Sequence, residues 1–147
     1  MKEKNSKNYY NLINLTEKLN RLFLSLLKTD LDKLGINDIN NVQSLILYNI
    51  AYKEVTVNDL TVKGYYLGSN SSYNIGRMIK NGYIDNWQNM GDKRSVCLKL
   101  TKKGINLYKK IENSFEERSK MFCENEIDYD RLRIFINSLH YIDRMNK

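Results

Sequence analysis

Residues 92–104 read Asp92-Lys93-Arg94-Ser95-Val96-Cys97-Leu98-Lys99-Leu100-Thr101-Lys102-Lys103-Gly104, and this stretch decides the fold. From Arg94 to Leu100 the residues alternate. Val96, Leu98 and Leu100 fall on one side, and Ser95, Cys97 and Lys99 on the other. A period of two marks a half-buried strand. Just upstream, Tyr83-Ile84-Asp85-Asn86-Trp87-Gln88 reads as a second strand, and Asn89-Met90-Gly91-Asp92 has turn chemistry. The two strands predict a β-hairpin with Lys93 and Arg94 just past its tip. Thr101 then stands where a helix cap belongs, and a helix is expected from about Lys102 to Cys123, burying Tyr108, Ile111, Phe115 and Phe122.

Moving outward from the hairpin, the period lengthens to that of a helix. Ile75, Met78 and Ile79 recur at i, i+3 and i+4 in a helix predicted from about Asn70 to Asn81 and stopped by Gly82. Ser72, Tyr73, Asn74, Arg77 and Lys80 are left largely on its other faces. A glycine-bounded turn, Gly64 to Asn70, precedes it. Before that turn, Thr56-Val57-Asn58-Asp59 has the spacing of a capping box, with Asp in place of Glu, opening a short helix through Leu60 and Val62. A short extended piece at Glu54-Val55 comes just ahead of it. Asn40 or Asn41 caps an earlier helix carrying Val42, Leu45, Ile46 and Ile50 on one face.

Residues 8–35 read as one long helix closed by Gly35. Leu12, Leu15, Leu19, Leu22 and Leu26 follow a 3-4-3-4 spacing, widened by Ile13, Phe23 and Leu27. Such a face is either core or a subunit interface. The length of the repeat favours the interface, because it needs a partner of comparable length. At the other end of the chain Asp128 caps a last helix carrying Leu132, Phe135, Ile136, Leu139 and Ile142. The order is four helices, a hairpin and two helices, so the fold class is mainly α with a small β-hairpin.

Composition narrows the function. The 147 residues carry 24 Lys and Arg against 17 Asp and Glu, a net charge of +7. Proline is absent and glycine occurs seven times, which favours long helices over a turn-rich sandwich. No apolar run reaches the roughly 18 residues of a membrane span. The N-terminus lacks the apolar segment of a signal peptide, so a cytoplasmic location and no membrane partner are expected. Cys97 and Cys123 fit no disulfide framework or zinc spacing, and a single histidine, His140, excludes any site built on two imidazoles. No cofactor or metal is expected. The abundance of Asn and Lys reads as the imprint of an AT-rich genome.

A helix pair joined by a tight turn and followed by a hairpin is a winged helix-turn-helix. An α-helix fits the major groove of B-DNA, and a basic hairpin tip beside it reaches the backbone or the adjacent minor groove. The charge map agrees. Residues 53–103 hold nine basic side chains and four acidic ones, so +5 of the chain's +7 lies there.

The run from Asp92 to Gly104 resembles the wing signature of MarR-type transcriptional regulators: Asp-x-Arg, a short strand, then Leu-Thr-x-x-Gly opening a long helix. Met78-Ile79-Lys80-Asn81-Gly82-Tyr83-Ile84 is similar to the end of that family's recognition helix and its exit into the wing. The resemblance implies a bacterial homodimer whose terminal helices intertwine and whose two winged domains read a pseudo-palindromic operator in double-stranded DNA. On this reading residues 36–104 form the DNA-binding region. Residues 1–35 and 105–147 form the helical dimerisation region, within one compact domain. Arg94 matches the family's minor-groove arginine and Asp92 the acid that holds the wing loop. Ser69, Asn70, Ser72, Tyr73, Asn74 and Arg77 match base-reading positions, and Lys93 joins Arg94 as a DNA contact. Leu12, Leu15, Leu19, Leu22, Leu26, Phe115, Phe135 and Leu139 fall to the dimer interface. A small-molecule effector that modulates binding is left open. The entry to the recognition helix departs from the small, Ser/Thr-rich pattern of typical members: it carries Tyr65, Tyr66 and Leu67 ahead of Gly68-Ser69-Asn70.

Other classes fit less well. No phosphate loop or dinucleotide fingerprint is present, and His140 lacks a nucleophile nearby in sequence, so the chain does not read as an enzyme. A cysteine-based redox sensor of the same fold would rest on Cys97, close to Arg94 and Lys99. A winged helix used for protein contacts would need an acidic or apolar recognition face, and this one is polar and basic. Trp87 and most of the eleven tyrosines read as core or interface anchors.

Overall fold

The computed structural model describes residues 2–64, 68–92, 94–124 and 128–145. In chain order the elements are α1 (Lys2–Lys33), α2 (Asn41–Ile50), β1 (Val55–Thr56), α3 (Val57–Gly64), α4 (Gly68–Lys80), β2 (Ile84–Gln88), β3 (Val96–Leu100), α5 (Lys102–Glu124) and α6 (Tyr129–Met145). They form two compact units, residues 1–112 and 113–147.

Local chemistry sets the helix boundaries in the first unit. Asn40 opens α2 with a full capping box: the Gln43 amide donates to Asn40 Oδ1 at 2.8 Å, and the Asn40 amide donates to Gln43 Oε1 at 3.0 Å. At α3, Thr56 and Asp59 do the same. The Thr56 amide donates to Asp59 Oδ2 at 3.1 Å and the Asp59 amide to Thr56 Oγ1 at 3.0 Å. Gly35 and Gly82 end α1 and α4 with φ of +67° and +74°. Behind them Ile36 donates to the Leu31 carbonyl and Tyr83 to the Met78 carbonyl, each at 2.9 Å, the six-to-one bond of a Schellman stop.

The hairpin gains a third strand. β1 pairs antiparallel with β3, Val55 opposite Leu98 and Thr56 opposite Cys97, giving the order β1-β3-β2. A two-residue strand leaves no readable alternation in sequence, so only the pairing reveals it. Within β3, Leu98 and Leu100 point into the core, while Val96 lies past the core's edge and is exposed. The core gathers Leu27 and Leu31 of α1, Ile46, Leu47 and Ile50 of α2, Ile75 and Met78 of α4, and Ile111 of α5. Tyr108 closes one side, stacked on Tyr48 at 5.5 Å and edge-on to Tyr52 at 4.9 Å.

Only the last part of α1 belongs to this core. Leu12 and Leu26 are half-buried, but Leu15, Leu19 and Leu22 remain 59%, 54% and 56% exposed. In the second unit Asp128 caps α6, its Oδ1 accepting from the amides of Asp130 and Arg131 at 3.1 and 3.2 Å. No residue of α6 is buried, and Phe135, Ile136 and Leu139 stand exposed along it. Phe115 is half-buried and Phe122 exposed.

Candidate nucleic-acid interface

The helix α4 divides its faces sharply. Ser71, Ile75 and Met78, at i, i+4 and i+7, are buried. Asn70, Ser72, Tyr73, Gly76, Arg77 and Lys80 are exposed, Tyr73 to 66%. Asn70, Tyr73, Arg77 and Lys80 recur at three- and four-residue intervals and form a polar ridge about 15 Å long at 1.5 Å per residue. Asn74 departs from the outward position expected of it. It is half-buried, and its Oδ1 accepts from Gln43 Nε2 of α2 at 3.1 Å. Gln43, itself buried, thus completes its hydrogen bonds by joining the cap of α2 to the middle of α4. Ser69 lies in the first turn of α4, its side chain outside the described atoms, and Tyr65, Tyr66 and Leu67 lie outside the described residues.

The wing loop is held by its own side chains. Gly91 donates to Asn89 Oδ1 at 2.9 Å, and the Arg94 amide donates to Asp92 Oδ1 at 3.0 Å. The Ser95 amide reaches the Asp92 carbonyl and the Asn89 amide the Ser95 carbonyl, each at 2.9 Å. Asp92 therefore braces the loop through the backbone of Arg94 and leaves the guanidinium side chain exposed. Lys93 lies outside the described residues. Met90, at the tip, is 97% exposed. Below the tip Lys99 sits 5.4 Å from the centre of the Trp87 ring and 3.9 Å from Glu54.

A latch joins α4 and the hairpin at Tyr83. The Thr101 amide donates to the Tyr83 carbonyl at 3.1 Å, and Thr101 Oγ1 donates to the Gly82 carbonyl at 2.6 Å. The same hydroxyl oxygen accepts from the Gly104 amide at 3.1 Å, capping α5. A Cβ on Gly104 would lie 2.2 Å from the Tyr83 carbonyl oxygen, so no larger residue fits there without displacing backbone. This contact is the physical content of the Leu-Thr-x-x-Gly signature.

On its other side Tyr83 Oη donates to Asp38 Oδ1 at 2.7 Å, and Lys103 Nζ donates to Asp38 Oδ2 at 2.7 Å. Burial pushes the Asp38 carboxyl up, but the hydrogen bonds from Lys103 and Tyr83 and the Lys103 charge outweigh it and hold it below the usual carboxylate value. Burial, the bond to Asp38 and its charge push the Tyr83 phenol up. The Tyr108 phenol is pushed up to about 12 by its hydrogen bond to Glu112, reinforced by burial.

The comparisons with known proteins agree on one answer. Residues 39–104 match a winged helix DNA-binding domain family. Over 135 residues the chain is 30% identical to the exopolysaccharide II synthesis transcriptional activator ExpG of Rhizobium meliloti (strain 1021), covering 92% of this chain and 70% of that protein. It is similar to a MarR transcriptional regulator from Methanosarcina mazei Go1, with a TM-score of 0.76, 18% identity and 93% and 96% of the two chains covered. It is also similar to a mutant MarR from E. coli complexed with operator DNA, with a TM-score of 0.72, 20% identity and 92% and 95% covered. The chain belongs to the MarR family of winged helix regulators.

As a MarR-family protein it is a DNA-binding transcription regulator, and its fold and family are those of regulators. The sequence points to the polar residues of α4 and to Arg94 as candidates, but not to Asp38, Asn81, Tyr83 and Lys103 as a group. They are scattered through the chain and share no local spacing. Among the described residues no group of three or more His, Cys, Asp and Glu side chains is placed to hold a metal ion, and no helix is long and apolar enough to cross a membrane.

Proposed function

We propose that this regulator acts as a cytoplasmic homodimer on a pseudo-palindromic site in double-stranded DNA, by occupancy and without catalysis. The polar ridge of α4, with Asn70, Ser72, Tyr73 and Arg77 exposed on a helix whose opposite face is buried, is the observation that carries the reading. The ridge enters the major groove, where Arg77 and Asn70 reach base edges. Ser69 and Lys93 add contacts beside them. Arg94, held outward by the turn that Asp92 closes, enters the narrow minor groove, where the potential is most negative. Asn74 acts through its bond to Gln43, orienting the helix.

The exposed leucines of α1, with Phe115, Phe135 and Leu139, supply the subunit interface. Two winged heads then meet two half-sites. A small molecule that binds one spacing of the heads better than the other shifts occupancy by the difference in its two affinities. The solved relative bound to operator DNA supports this assignment of the partner.

The test is a salt titration on a duplex selected by the protein from a random pool. Six to ten neutralised phosphates give a log–log slope of roughly −5 to −9. A flat response points to protein recognition instead and overturns the DNA assignment.

A further inference from the structure

Asp38 lies in the loop between α1 and α2 and lines one cavity with Tyr73 and Arg77 of the polar ridge. Two separate segments meet on it, residues 81–83 and the start of α5. Its Oδ1 takes the Tyr83 hydroxyl and its Oδ2 the Lys103 ammonium, each at 2.7 Å. Its backbone carbonyl accepts from the Asn81 side-chain amide. Lys103 closes the ring, donating to the Asn81 carbonyl at 2.9 Å and lying 4.0 Å from the centre of the Tyr83 ring. Asn81 and Tyr83 flank Gly82, the residue that ends α4, so the bonds grip the exit of the recognition helix. Lys103 belongs to the first turn of α5, whose Thr101 and Gly104 grip the same exit through the backbone.

Both members of the Asp38–Lys103 pair are about half exposed, 47% and 49%, and such pairs contribute little to folding. What the ring does supply is direction. Asn70 lies about 15 Å from Lys80 along the α4 axis, so a tilt of about 10° at the exit moves Asn70 by roughly 2.6 Å, enough to lose a base contact. The wing moves with it, because β2 begins one residue after Tyr83.

We propose that Asp38 is a positioning residue for operator recognition, fixing the angle at which α4 and the wing together meet DNA. The inference rests on the DNA-reading assignment above and names the part of the molecule that makes the reading specific. The loop that carries Asp38 continues directly from α1, so the latch also ties the helix bearing the exposed leucines to the reading head.

Charge alone predicts the opposite outcome to positioning, which makes the test sharp. Removing a carboxylate near DNA lowers repulsion and tightens binding to any sequence. If Asp38 positions the head, Asp38→Ala in the full-length protein weakens binding to the selected duplex by about tenfold. Its binding to a scrambled duplex of equal length stays within about twofold of wild type and its salt slope is unchanged. Tyr83→Phe, which alters no charge, gives the same selective loss, and the double variant is no worse than the weaker single one. Tyr83→Phe also carries the test should Asp38→Ala fail to fold. Operator affinity at or above wild type in the folded variants, or an equal loss on both duplexes, overturns the proposal. A wild-type protein that does not distinguish the two duplexes sinks the DNA reading itself, a separate result.

Discussion

Around Tyr83 polar groups find partners within the chain at 2.6 to 3.1 Å, while along α1 and α6 large apolar side chains find too few. The reading head is closed by hydrogen bonds among residues 38, 81, 82, 83, 101, 103 and 104, and its outward ridge is polar. The long helices show the reverse: Leu15, Leu19 and Leu22 on α1, and Ile134, Phe135 and Ile136 on α6, stay exposed. Water solvates a free hydroxyl or guanidinium at little cost, but an exposed leucine row is unfavourable until another apolar face covers it. The head satisfies its polar groups within the chain, and the long helices keep apolar rows exposed.

The contrast breaks most directly on α1. Leu19→Asp places an uncompensated carboxylate in the proposed interface, at an expected cost of roughly 3 kcal/mol or more. Sedimentation equilibrium should show the mass falling from a dimer toward the 17.4 kDa chain, and operator binding should collapse with it. A variant that remains dimeric removes this face from the interface.

A smaller but still large effect is expected in the head. Gly104→Ala forces a methyl group against the Tyr83 carbonyl oxygen, where the ideal separation would be 2.2 Å. Overpacking of this kind costs about 1–3 kcal/mol, read as a drop in melting temperature. An unchanged melting temperature means that the exit of α4 is not held at this point.

The wing should separate binding from stability. Arg94→Ala is expected to weaken operator binding by about 1–3 kcal/mol, reduce the salt slope by about 0.9 and leave the melting temperature unchanged. Asp92→Ala loses one hydrogen bond to a backbone amide and should cost about 0.5–1.5 kcal/mol of binding, through the loop alone. Equal losses in the two variants, with no further loss in the double variant, assign Arg94 to bracing the loop.

The smallest effect is spectroscopic. In an ultraviolet titration the Tyr83 and Tyr108 phenols should ionise above the ordinary tyrosine value, Tyr108 near 12. A raised phenol favours the folded state. Its contribution is complete below the ordinary tyrosine value near 10 and is lost as pH rises through the folded value. Asp38 has the opposite sense: its contribution holds above the ordinary carboxylate value and is lost as pH falls through its lowered one. Tyr108→Phe should remove one phenol from the late phase, and an unaltered late phase disproves the assignment.

The elements themselves were legible because their signals are local. Asn40 with Gln43, Thr56 with Asp59, and Thr101 with Gly104 are partners three residues apart, within one helical turn. Leu98 and Leu100 betray the wing by alternation alone. The candidate site was legible in part for the same reason, since Tyr73 and Arg77 share a face by helical period. Asn74 was not, because its inward turn depends on Gln43, which lies 31 residues away.

Local signals in the chain set the order of the helices and the hairpin, their caps and stops, the concentration of positive charge between residues 53 and 103, and the family. Periodicity and capping act over three or four residues, and charge adds without regard to geometry. Tertiary structure alone decided that Val55 and Thr56 become a third strand, that Val96 lies beyond the core, that Asp92 holds the backbone rather than the side chain of Arg94, and that Asp38 meets Tyr83 and Lys103. Those last partners are 45 and 65 residues from Asp38. Contacts over such separations leave no periodic trace in a chain, and they exist only once α1, α4 and α5 have been brought together by the apolar core between them.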